Sequence, residues 1–470
     1  MSEKRGIFIS TTSQVLVRVI GLVISVAMVK LLTNYLGKEG TGEYNTITTF
    51  LNFSIVIADL GLFSSTIREI TRTPEREAKI LGNVFTIRVI TALIATILAI
   101  AVINLTHYDP RIKLGAVVAS GYIFFNLTAS FYDIILQHRL KMQYSALAEL
   151  FSKAIALTAL AAIIAIHGSF MMVTSTIVLS GIIILVVKWF FSRRMAVYTP
   201  SYDRQLARWI LTISAPLGLV YFVNNLYFKI DSLILFALKG AAAAGVYTVS
   251  YKLLEVSVFI GSYFSSALKP ALSRTVTKGE AGSIINKGLL ILLGSALPIT
   301  VVSLVYAKEI IIFLSNKDFI DGIVPLIVLS CTLPLLYWDM LLGEVLIALD
   351  ARTLLIRISL FIFAFNVILN LIFIPLFSMR GAAFTTLASE LVLMLINLYY
   401  TKKLAIYTLD FPRIFSLLFC ALGAAAAGWL IHGLPLNFIL GSILITAFYL
   451  VLVWMLGIVS PQQVKSLIKG

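Results

Sequence analysis

Fourteen apolar runs, each about as long as a bilayer is thick, follow one another along this 470-residue chain with short polar connections between them. They cover residues 8–34, 43–67, 80–105, 112–136, 143–167, 169–192, 208–237, 241–268, 286–314, 322–350, 353–377, 381–401, 411–432 and 436–458. A helix needs about 20 residues to cross the hydrocarbon core. Inside lipid, backbone polar groups have to be satisfied within the segment, so runs of this length fold as helices. The expected fold is therefore an all-α polytopic membrane protein with about 14 transmembrane helices.

Composition agrees: 60% of residues are hydrophobic and 13% charged, with a mean hydropathy of +0.99. The net charge of +15 does not point to nucleic acid, because lysine and arginine sit at segment ends rather than in one patch with interleaved aromatics. Positive residues gather in cytoplasmic loops. Lys4, Arg5, Arg68, Arg72, Arg139, Arg193, Arg194, Lys402 and Lys403 share one side, which places both termini in the cytoplasm and the chain in the cell membrane. The basic start MSEKRGIFIS lacks a small-residue cleavage site, so an uncleaved first helix is expected. Cys331 and Cys420 lie within apolar runs, the four histidines are scattered without metal-ligand spacing, and no phosphate-binding GxxxxGK[ST] loop is present.

An internal repeat organises the runs. Gly37, Gly42 and Tyr44, between segments 1 and 2, recur at identical spacing as Gly240, Gly245 and Tyr247 between segments 7 and 8. Phe190-Phe191-Ser192-Arg193-Arg194 at the end of segment 6 is echoed by Tyr399-Tyr400-Thr401-Lys402-Lys403 at the end of segment 12. Two six-helix bundles related by a pseudo-two-fold are expected, over residues 1–200 and 201–405, with two appended helices over 406–470. Repeats of this kind place a substrate site at their meeting point and exchange access by rocking.

Sixteen ionisable residues fall inside the segments, among them Lys30, Asp133, Lys188, Asp339, Glu344, Arg357 and Glu390. Unpaired in lipid at about 3 kcal/mol each, they would cost on the order of 50 kcal/mol together. They must snorkel, pair or face a polar cavity. Arg18, Asp59, Arg88 and Glu149 lie roughly 9 to 15 Å from the cytoplasmic end, at 1.5 Å per helical residue. Cations at that depth suit an anionic headgroup arriving from the cytoplasm, because a desolvated guanidinium binds phosphate bidentately. Arg18 and Arg88, with Asp59, Lys252 and Glu255, are the candidate substrate-binding residues. Lys252 and Glu255 are three apart on one helix face, so a mutual pair is the alternative for them.

A second constellation combines Asp231 on segment 7, Asn366 and Asn370 one turn apart on segment 11, and Thr386 on segment 12. A carboxylate, amide oxygens and a hydroxyl make an oxygen cage for a small hard cation such as sodium. Ordinary interhelical hydrogen bonding is the alternative.

These features carry a resemblance: the Gly37 to Tyr44 turn, Lys229-Ile230-Asp231, Ala243-Ala244-Gly245-Val246-Tyr247 followed by Lys252 and Glu255, the run NVILNLIFIP from Asn366, and Gly381-Ala382-Ala383. In this order, across essentially the whole chain, they resemble the polysaccharide transporter or O-antigen flippase branch of the multidrug, oligosaccharidyl-lipid and polysaccharide exporter superfamily. The resemblance implies no enzyme. It implies a flippase that moves a polyprenyl-(pyro)phosphate-linked oligosaccharide from the inner to the outer leaflet by alternating access, beside a glycan polymerase or glycosyltransferases. The chain also resembles the lipid II flippases, whose sodium ion is held by an acidic residue on helix 7, a polar pair on helix 11 and a threonine on helix 12. Asp231, Asn366, Asn370 and Thr386 occupy the matching places, with Asn370 standing where that family has an acid. Sodium or a proton is the expected coupling ion, and no other cofactor is expected.

Two other functions compete. A cation-coupled multidrug exporter of the twelve-helix MATE type keeps both bundles but leaves segments 13 and 14 without a role. A membrane-embedded glycan polymerase or glycosyltransferase needs acids or bases presented on a sizeable outer loop, and every outer loop here is short.

Overall fold

The computed structural model describes residues 3–275, 281–405 and 407–458. Among them the chain is helical throughout, with no strand. In order come α1 (Glu3–Asp59), α2 (Leu62–Arg72), α3 (Glu77–Leu105), α4 (Pro110–Ala119), α5 (Gly121–His138), α6 (Gln143–Ala165), α7 (Phe170–Ser192) and α8 (Arg204–Tyr227). Then follow α9 (Ile230–Thr275), α10 (Ala281–Val305), α11 (Ala307–Leu314), α12 (Ile323–Ala348), α13 (Arg352–Phe377), α14 (Met379–Ala405), α15 (Phe411–His432) and α16 (Phe438–Met455).

Twelve stretches of the described residues are long and apolar enough to cross a membrane, and two of them, 20–72 and 225–274, hold 53 and 50 residues. Each is double length, and each is interrupted by a glycine of the sequence repeat. Gly37 (φ 67°, ψ −169°) breaks α1 and Gly240 (φ 83°, ψ 179°) breaks α9. This backbone region is open essentially to glycine alone. One span on either side of each break brings the arrangement to the fourteen expected.

The loops stop and start the helices by polar capping. Asp109, Ser169, Asp203, Asp410 and Asn437 each accept a backbone N–H from the first turn of the following helix. Outward faces are apolar: Ile90, Leu93, Ile94, Ile97 and Leu98 of α3 are all exposed. A contiguous exposed apolar face of that kind marks contact with lipid.

Contacts divide the chain into two compact units, 1–233 and 234–470. In the first, Leu62, Ile80, Leu81, Val84, Phe131 and Ile135 form a core to which α8 adds Ala207 and Ile210. Helix α8 packs on α1, α2 and α3, and the division between the units falls within α9. In the second, Leu289, Leu292, Leu293 and Leu297 of α10 meet Leu333, Leu336 and Leu341 of α12. The last two helices belong to that core: Leu417, Cys420 and Ala424 of α15 and Ile445 and Tyr449 of α16 are buried in it.

Candidate functional site

In the first unit two of the sequence candidates, Asp59 and Arg88, meet where segment 2 breaks. Asp59 ends α1, Leu60 and Gly61 have φ of 51° and 68°, and α2 restarts at Leu62. Gly218 of α8 crosses here so closely that a Cβ on it would stand 2.6 Å from the Leu60 carbonyl carbon. Ser65 and Ser214 hydrogen-bond across the same crossing. Arg88 of α3, wholly buried, donates Nη2 to Asp59 Oδ1 at 2.7 Å and Nη1 to the Asp59 carbonyl oxygen at 3.1 Å. A guanidinium thus caps the carbonyl end of α1, where the helix dipole favours a cation. It also means that Arg88 and Asp59 engage each other here, rather than standing open as separate contacts for a phosphate. Arg18 lies in α1, but its side chain is outside the described residues. Lys188 and Asp133, two of the ionisable residues within the apolar segments, form a 2.6 Å pair, with Ser145 donating to the other carboxylate oxygen.

Asp231 belongs to the first unit and is 3% exposed; its Oδ1 accepts from the Ser232 backbone N–H at 2.7 Å. Asn366, Asn370 and Thr386 belong to the second. There Asn370 Nδ2 donates to Asn366 Oδ1 at 2.8 Å, and Asn366 Nδ2 donates to Ser389 Oγ at 3.1 Å. Thr386 Oγ1 donates to the Ala382 carbonyl. Asn370 Oδ1 and Thr385 Oγ1 are buried without a hydrogen-bond partner. Two orphaned oxygens among amide and hydroxyl groups fit a small oxygen-loving cation. Lys252 and Glu255 form a 3.0 Å ion pair along α9, half in the open, with side chains 21% and 45% exposed.

Two features went unread in the sequence. The first is a cavity of about 750 Å³ bounded by α9, α10 and α16, with Leu253, Ile260, Pro298, Val302, Phe438 and Leu450 in its wall. Apolar residues that line a cavity and apolar residues that face lipid look alike in sequence, so no signal marked it. The second is a buried contact between Asp339 of α12 and Glu390 and Asn397 of α14. A signal existed for it: Asn397 follows Glu390 by seven residues, two helical turns along one stripe.

Broken transmembrane helices, a doubled arrangement of spans and buried polar clusters on the second half of the chain define a polytopic membrane protein of the multidrug and polysaccharide exporter fold. Residues 4–276, more than half of the chain, match the family model described as polysaccharide biosynthesis protein, and the chain belongs to that family. Among curated relatives, it is 24% identical over 226 residues to the Staphylococcus aureus capsular polysaccharide biosynthesis protein CapF, covering 47% of this chain and 57% of that one. The match thus spans little more than half of that relative's length. Among solved structures, the lipid II flippase MurJ in an inward closed conformation has the same fold, with a TM-score of 0.81 at 16% identity over 96% of this chain and 98% of that one. An inward-facing MATE family multidrug resistance transporter follows the fold less closely, with a TM-score of 0.62 at 12% identity over 82% and 94%.

Proposed function

We propose that the protein is a flippase carrying a polyprenyl-(pyro)phosphate-linked oligosaccharide from the cytoplasmic to the outer leaflet of the cell membrane. The observation that carries this reading is the match to the polysaccharide biosynthesis family across the first unit and into the second. The apolar cavity between α9, α10 and α16 supports it, since a polyprenyl chain needs a long apolar surface within the protein. In this reading Arg18 meets the substrate phosphate from α1. Lys252 and Glu255, accessible along α9, line the path of the headgroup. Arg88 and Asp59 hold the break between α1 and α2 in shape.

Transport is coupled to a cation, sodium or a proton. The buried oxygens of Asn366, Asn370 and Thr386 serve the ion in the second unit, and the Asp231 part of the assignment rests on the resemblance to the lipid II flippases. Both termini lie in the cytoplasm, and glycosyltransferases or a glycan polymerase act beside the protein.

The test is export of surface glycan in cells lacking the transporter. Arg18→Ala is expected to abolish export while the protein still inserts; undiminished export would remove Arg18 from the site. A multidrug exporter is the second reading, favoured by the likeness to the MATE fold. Drug resistance without glycan rescue would choose it.

A further inference from the structure

Asp339, Glu390 and Asn397 take no part in the reading above, yet all three are buried in the second unit, at 8%, 2% and 3% exposure. Asn397 Nδ2 donates to Asp339 Oδ1 at 3.1 Å, and Glu390 lies within hydrogen-bonding reach of the same carboxyl. Helix α12 brings the first residue and α14 the other two, along the face on which these helices pack. The neighbouring Trp338 is tied in turn to α10, its indole N–H donating to the Leu289 carbonyl at 3.0 Å.

Two acceptors are left over. Asp339 Oδ2 and Asn397 Oδ1 are sealed from solvent and have no hydrogen-bond partner. Buried acceptors in native structures are almost always satisfied, and an exception points to a missing water or ion. Two carboxyl groups side by side in an apolar bundle also cannot both stay negative without positive charge between them. A proton shared by the carboxyls would remove the repulsion, but it would leave the amide oxygen of Asn397 orphaned. A small cation takes carboxylate and amide oxygens together. The donors are all hard oxygens, which suit alkali and alkaline-earth ions rather than transition metals. With only three side chains, the set falls short of the six to eight oxygens that calcium takes.

We propose that Asp339, Glu390 and Asn397 form a binding site for a small monovalent cation of the sodium class, distinct from the Asn366 and Asn370 cluster. The ion bridges α12 to α14 and balances one carboxylate charge, while a proton on the other carboxyl removes the second, so its presence and the packing of these two helices are linked.

The test is equilibrium binding of radiolabelled sodium to the purified full-length protein in detergent, with glycan export playing no part in the readout. An Asn370→Ala background removes the other candidate site. In that background saturable sodium binding is expected to persist. Asp339→Asn and Glu390→Gln should each weaken it at least tenfold, and Asn397→Ala severalfold. Should the acid variants fail to fold, the unsubstituted protein still reports through Trp338. Sodium, but not choline, is expected to change its fluorescence, and the change should vanish in Trp338→Phe. Sodium binding indifferent to all three substitutions would overturn the site. So would absence of binding alongside an infrared carbonyl band that titrates, which would make the pair a proton site. Displacement of sodium by equimolar magnesium would overturn the monovalent assignment.

Discussion

Arg88 reaches Asp59 twice, once at the side-chain carboxylate and once at the main-chain carbonyl, and so closes the end of α1 where segment 2 breaks inside the membrane. Removing one partner of such a pair leaves a buried charge alone, at a cost of roughly 3–5 kcal/mol, whereas removing both costs much less. Arg88→Met is therefore expected to lower the thermal unfolding temperature in detergent sharply. Asp59→Asn with Arg88→Met should recover most of the loss. A double variant no better than the single one would show that the pair is not the stabilising element.

The crossing beside it tolerates no side chain. A Cβ at Gly218 would meet the backbone at Leu60 and Gly61. Neither is a flexible side-chain end that can step aside. Gly218→Ala is expected to cost about 1–3 kcal/mol through overpacking. Differential scanning fluorimetry of the variant against the parent checks this, and an unchanged midpoint would mean that α8 shifts freely.

Gly37 and Gly240 make a matched pair of experiments, because each has the same unusual backbone and neither has a heavy atom within 4 Å of an added Cβ. The cost of Gly37→Ala or Gly240→Ala is then backbone strain alone, about 1–3 kcal/mol at either site. Similar losses in thermal stability are expected from the two. A large difference between them would separate the repeats energetically.

Asp203 caps α8 through the backbone N–H groups of Gln205 and Leu206 and pairs with Lys79 at 2.8 Å. The hydrogen bond from Lys79, and then that from the Leu206 N–H, hold its carboxyl below the usual value. A carboxyl depressed in the folded state adds stability above its unfolded pKa of about 3.9 and loses it as pH falls through the folded value. Asp203→Asn should thus be less stable than the parent at neutral pH, and the gap should close in acid. A gap independent of pH would assign the effect to geometry instead of charge.

The cavity against α16 can be filled without touching a polar group. Leu450→Trp and Val302→Trp add bulk at its wall. If an apolar chain occupies the space during transport, both variants lose glycan export several-fold while unfolding at the parent's temperature. Full export by both would exclude the cavity from the transport path.

Much of the architecture was written in one dimension. A bilayer dictates how long an apolar run must be, so the spans follow from run length, and the two glycines with left-handed backbone sit where the sequence repeat placed its turns. Run length could not reveal the breaks at Leu60–Gly61 and between Tyr227 and Ile230, since a kinked span and a straight one have the same hydropathy.

Charges within those runs were visible as an energetic problem whose solution was not. Asp133, Lys188, Asp339 and Glu390 each had to be neutralised, and the cost of burial says so for any arrangement of helices. Which partner each one finds depends on which helices lie side by side and at what height. Asp133 meets Lys188 across 55 residues and Arg88 meets Asp59 across 29. The sequence alone determined a fourteen-span, twice-repeated membrane protein that has to satisfy its buried charges. Only the tertiary structure decided that Arg88 is held by Asp59 and that Asp339 faces Glu390 and Asn397, because contact between helices depends on packing in the plane of the membrane, a direction that hydropathy along the chain does not record.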